Sequence, residues 1–95
     1  MLIIAHHNIS NPDKFWSTAK EETQKLPVNL KVHGVYPSTD QKSGTCIWEA
    51  NSVTEVQDYL DKITGKYAKN FCYEVNVKDS IGFPQIKESM VPAHN

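Results

Sequence analysis

Three kinds of side chain in this sequence can bind metals or move protons. The candidates among them are the imidazoles of His6, His7 and His33, the thiols of Cys46 and Cys72, and the carboxylates of Glu49 and Glu74. Imidazole nitrogens and carboxylates are good ligands for nickel, zinc or copper, and a thiolate adds a softer donor. Convergence of His33, one of His6 or His7, and Glu49 or Glu74 would make an open metal or small-ligand site, to which Cys46 or Cys72 could contribute. No HxxxH or CxxC spacing marks a closed metal site. The same residues also fit a plainer reading, in which His6 and His7 end a strand with hydrated or hydrogen-bonded rings, Lys31 and Glu49 form a surface pair, and Cys46 packs as a small hydrophobe. Tyr36, Trp48 and Glu74 are candidates for contacting a small ligand, although Trp48 and Trp16 equally suit a core or an interface. A cavity histidine could act as a general base. The chain has no GxSxG elbow and no Gly-rich phosphate loop, which removes support for hydrolase, kinase and nucleotide-dependent functions.

The elements that must position these groups follow from pattern. Leu2 to Ile9 reads as a strand ending at Ser10-Asn11-Pro12, where Asn11 can cap a helix that Pro12 begins. Phe15, Ala19 and Leu26, with Trp16 and Thr23 beside them, give that helix an apolar stripe to about Lys25, and Pro27 stops it. Leu30 to Tyr36 reads as a second strand and Thr45 to Ala50 as a third, joined by the turn-rich segment Pro37 to Gly44. Ser52 and Glu55 form a capping box ahead of Val53, Val56, Tyr59, Leu60 and Ile63, a helix that Gly65 can close. After a connector containing Lys66, Lys69 and Asn70, alternation from Phe71 to Val77 predicts a fourth strand.

The order β-α-β-β-α-β is that of an α+β, ferredoxin-like sandwich: a four-stranded antiparallel sheet with both helices on one face. Residues 1–84 form the expected single domain and residues 85–95 a polar tail. Pairing Gly34 with Cys46, Val32 with Trp48 and Leu30 with Ala50 puts those residues under the helices. Lys31, His33 and Val35 then share the uncovered face with Thr45, Ile47 and Glu49. His6 and His7, adjacent in a strand, must face opposite sides. A bare apolar face predicts a homodimer of the dimeric α/β-barrel type, with any site in the cavity of the sheet.

Charge narrows the partners. Ten Lys plus Arg against eleven Asp plus Glu give a formal net charge of −1, so neither nucleic acid nor an anionic membrane is an expected partner. The opening apolar run, Met1 to Ala5, is far short of a span and lacks a cationic flank, which with two cysteines predicts a cytoplasmic protein with free thiols.

The stretch Val32-His33-Gly34-Val35-Tyr36, followed by Cys46-Ile47-Trp48-Glu49-Ala50-Asn51-Ser52, resembles a small, mostly uncharacterised ferredoxin-like family that includes a nickel-binding bacterial protein. Its members carry a V-H-S-Y-like strand and a C-x-Y-E-A-P-like strand leading into a helix; here Gly34 replaces the serine and Asn51 the proline. The likeness spans roughly residues 30 to 65. It implies the fold, a dimer and divalent-metal binding, with His33 the best-supported ligand. The leading expectation is therefore a homodimer that binds a small ligand or a transition-metal ion. The alternative is a cofactor-independent monooxygenase or isomerase acting on a small hydrophobic molecule. A third reading is a dimerising module that engages a protein partner through the 37–44 hairpin or the tail.

Overall fold

The computed structural model describes residues 1–82. Its elements are β1 (Leu2–Ile9), α1 (Pro12–Glu22), β2 (Lys31–Pro37), β3 (Ser43–Glu49), α2 (Val53–Thr64) and β4 (Ala68–Glu74), followed by a short 3-10 helix over Val77–Asp79. The strands form one antiparallel sheet in the order β2-β3-β1-β4. This is the expected α+β, ferredoxin-like arrangement, with β1 held between β3 and β4. The expected domain end at residue 84 and the tail 85–95 lie outside the described residues.

Local chemistry sets the helix ends. Asn11 Oδ1 accepts the Lys14 N–H at 3.2 Å and Pro12 opens α1. Ser52 Oγ accepts the Glu55 N–H at 3.1 Å and starts α2. Helix α2 closes at Gly65, where a Cβ would collide with the Asp61 carbonyl, so only glycine lets the chain turn there without displacement.

Period-two alternation then sorts the sheet. Ile3, Ala5, Cys46, Trp48 and Cys72 pack against Val56 and Leu60 of α2. Ile9 and Ala68 pack with Phe15 of α1. The other face carries Ile4, His6, Thr45, Ile47, Phe71 and Tyr73, paired in cross-strand rows. No helix among the described residues is long and apolar enough to cross a membrane.

Two expectations need correction. Strand β2 pairs with β3 as expected at Lys31↔Glu49 and Val32↔Trp48, but the register then shifts, so that Gly34 faces Ile47 and Val35 faces Cys46. Gly34 is therefore not opposite Cys46, and His33 is the extra residue of a β-bulge. The bulge reverses the alternation downstream. Val35 turns under the helices with Cys46, while Tyr36 joins Thr45 on the open face, with its ring lying across the Gly34 backbone. The second correction concerns element ends: α1 stops at Glu22, short of the expected Lys25, and β4 runs from Ala68 to Glu74 rather than from Phe71 to Val77, so that it takes in Lys69 and Asn70 while Val77 opens the 3-10 helix.

Candidate functional site

The bulge and the parity of β1 decide which candidate residues meet. His7 points inward and is fully buried, whereas His6 faces out, its Nδ1 3.4 Å from Thr45 Oγ1. Inside, His7 lies between Cys46 on β3 and Asn70 on β4, with the Phe15 ring 5.0 Å away.

The hydrogen bonds around His7 fix its protonation pattern. Asn70 Nδ2 donates to Asp61 Oδ1 at 3.0 Å and to Thr64 Oγ1 at 3.1 Å. A carboxylate only accepts, so the Asn70 amide cannot be turned the other way, and its Oδ1 faces His7. His7 Nδ1, at 2.6 Å, therefore carries the proton and donates to Asn70 Oδ1. The lone pair on His7 Nε2 is left to accept the Cys46 thiol proton across 3.1 Å.

Both partners of that contact are neutral. Burial lowers the His7 pKa below the usual 6.5, partly offset by the bond His7 donates to Asn70. Burial likewise pushes the Cys46 thiol up to about 12. The Trp48 indole N–H is turned so as to favour a Cys46 thiolate, yet it makes no hydrogen bond of good geometry and is the one buried unpartnered polar side-chain atom among the described residues.

His7, Cys46 and Trp48 share the wall of a cavity of about 20 Å³ between the sheet and the helices, with Val35, Phe15 and Leu60 supplying apolar surface. Glu22 and Tyr59 also line it. Tyr59 donates from its hydroxyl to Glu22 Oε1 at 3.2 Å, and its phenol is pushed up to about 12 by burial and by that carboxylate.

The remaining candidates stand elsewhere. His33 Nε2 donates to Glu49 Oε1 at 3.0 Å on the open face, a pair with 11% and 33% side-chain exposure. Tyr36 is exposed on that face. Glu74 is exposed at the end of β4. The structure thus makes two separate pairs, His7–Cys46 inside and His33–Glu49 outside, and leaves His6 and Glu74 apart from both. Among the described residues no group of three or more His, Cys, Asp or Glu stands close enough to hold a metal ion.

Cys46 and Cys72 are both free and both pair with Ala5 from opposite sides, so β1 lies between them. Two strand spacings put their Cα atoms roughly 10 Å apart, beyond the ~7 Å limit for a disulfide.

Sequence reasoning missed Asn70, reading it as part of a connector. The signal that could have found it is the alternation Ala68-x-Asn70-x-Cys72, which continues the inward row of β4 one turn of the pleat earlier.

No family model, curated protein or solved structure matches this chain.

Proposed function

We propose that the chain is a small homodimeric metal-binding protein that seats one transition-metal ion between the sheet and the helices, on His7 Nε2 and Cys46 Sγ. The observation that carries this reading is the 3.1 Å thiol–imidazole contact at the wall of a cavity of only about 20 Å³. Such a space holds about one water molecule, whereas sites for organic ligands run to about 300 Å³ or more. An ion suits it, and the substrate of an oxygenase or isomerase does not. Asn70 supplies the outer contact that metal-binding histidines use, fixing the tautomer so that Nε2 presents its lone pair.

The homodimer is supported by the exposed Tyr36, Phe71 and Tyr73, which share the open face with Ile4 and Ile47. A second copy of the same face would cover them. A cytoplasmic setting, which keeps Cys46 reduced, belongs to the same reading.

The test is thermal unfolding of the apoprotein with copper(I), zinc(II) or nickel(II). Saturation at a hundred times Kd adds about 2.7 kcal/mol, or roughly 10–20 °C in Tm for a domain of this size. Cys46→Ala should abolish the shift. An unmoved wild-type Tm with all three ions would sink the proposal.

A second reading is favoured by the His33–Glu49 pair, 3.0 Å apart on the face that a second copy would cover. Two such pairs brought together would offer a divalent ion such as nickel two imidazoles and two carboxylates, a neutral set. In that case His33→Ala, and not Cys46→Ala, removes the shift.

A further inference from the structure

We infer that the ion suited to the inner seat is monovalent and soft: copper(I), with silver(I) as its redox-inert counterpart. This rests on the reading of the cavity as a metal seat and adds the charge and class of the ion.

Donor number points first in this direction. Zinc and nickel ordinarily take four or more ligands. His7 and Cys46 offer two, and no third His, Cys, Asp or Glu joins them among the described residues. Monovalent d10 ions are satisfied by two or three donors, and a thiolate with an imidazole matches their softness.

Charge balance points the same way. As the ion enters, the Cys46 S–H bond breaks and its proton leaves to water, while S–metal and metal–Nε2 bonds form; no electrons change hands. A neutral imidazole, one thiolate and a monovalent cation sum to zero, which suits walls made of Phe15, Val35 and Leu60. Glu22 is engaged by the Tyr59 hydroxyl and the cavity surface is apolar, so a divalent ion on the same donors leaves one positive charge uncompensated, a cost of the order that separates affinities by about a thousandfold.

Second-sphere chemistry is also in place. The buried Trp48 N–H, on the same cavity wall as Cys46, has no partner, and the thiolate that metal binding would create offers it an acceptor. The Nδ1–H of His7 is already committed to Asn70. One adjustment is required. The S···N separation of 3.1 Å must open to about 4 Å, near the sum of metal–ligand bonds of about 2.0 and 2.3 Å, as a near-linear two-donor ion requires, and the adjoining cavity provides the room.

The experiment loads the full-length, reduced chain anaerobically with copper(I), and separately with silver(I), against a chromophoric copper(I) chelator of known affinity. X-ray absorption on the copper(I) form of the wild type reports its neighbours without any substitution. We expect one ion per chain with one sulfur and one imidazole nitrogen, and binding at least about a thousandfold tighter than zinc(II) or nickel(II) at the same site. Cys46→Ala should weaken copper(I) at least a hundredfold, and Cys72→Ala should not. If zinc(II) or nickel(II) binds at Cys46 as tightly as copper(I), the monovalent assignment falls while the metal seat stands. Sulfur ligation that survives Cys46→Ala and is lost in Cys72→Ala overturns the assignment as well. If no ion binds the wild type, both the inference and the function on which it rests are overturned.

Discussion

Replacing Asn70 with leucine tests the buried hydrogen-bond line directly. The substitution keeps the number and branching of the side-chain heavy atoms, excludes water from the gap, and removes the acceptor for His7 Nδ1. His7 is fully buried, so its N–H would have no other partner. Leaving such a donor unpaired costs about 1–3 kcal/mol. The bond that Asn70 makes to Asp61 is exposed and replaceable by water. Thr64, although buried, keeps its donation to the Leu60 carbonyl at 2.7 Å. Those losses add about 1 kcal/mol at most, for a total near 2–4 kcal/mol, or a fall in Tm of about 10–25 °C. The discriminating measurement is a double-mutant cycle with His7→Leu, read by urea unfolding at pH 7.5. In the His7→Leu background Asn70→Leu orphans no imidazole N–H, so it should cost about 1–3 kcal/mol less than in the wild type. Equal costs in the two backgrounds, within about 0.5 kcal/mol, would refute both the tautomer assignment and the role given to Asn70.

Three further outcomes follow from the same geometry. His7 has a lowered folded-state pKa through burial, so below pH 6.5 the unfolded chain takes up the proton first. Stability should therefore fall with pH by up to about 1.4 kcal/mol per unit until the folded value is reached. His7→Gln should lack this contribution, and parallel urea midpoints for the two proteins from pH 7.5 to 5 would contradict it. Phe71→Lys places a charge in the middle of the exposed aromatic patch on β4 and should convert the proposed dimer to a monomer with unchanged circular dichroism; a wild type that runs at the 10.8 kDa of one chain in light scattering rules the proposal of a dimer out. Mild oxidation with diamide should leave the native chain without a Cys46–Cys72 bridge in non-reducing mass spectrometry, and a bridged species formed without unfolding would contradict the register of β1 between them.

The architecture was legible because its signals are local. The Asn11 and Ser52 caps, the alternation of β1 and the turn residues before β3 each act within a few positions, and together they set the element order. The inner site was legible only in its residue types. His6 and His7 follow Leu2-Ile3-Ile4-Ala5, in which both parities are equally apolar, so nothing within β1 chooses the inward histidine. What chooses is the row in which Ile3 meets Trp48 and Ala5 meets Cys46, a pairing across some forty residues. Asn70 escaped for a related reason. A polar residue in an inward row is stable only with partners, and its partner His7 is 63 positions away.

The β2 bulge links the two faces of the sheet. Without it, continued alternation would put Gly34 beside Cys46 and leave the cavity wall without a side chain at that point, while Val35 would face out. With it, Val35 closes the apolar wall next to the thiol, and His33, as the extra residue, lies against Glu49 on the outside. Gly34 is the residue that hides this shift from pattern reading, because a position without a side chain fits either face. It also leaves the space that the Tyr36 ring occupies across its backbone. One inserted residue thus accommodates both arrangements, and deleting His33 would leave Gly34 opposite Ile47 and Val35 opposite Cys46, removing the outer pair while the inner one stands.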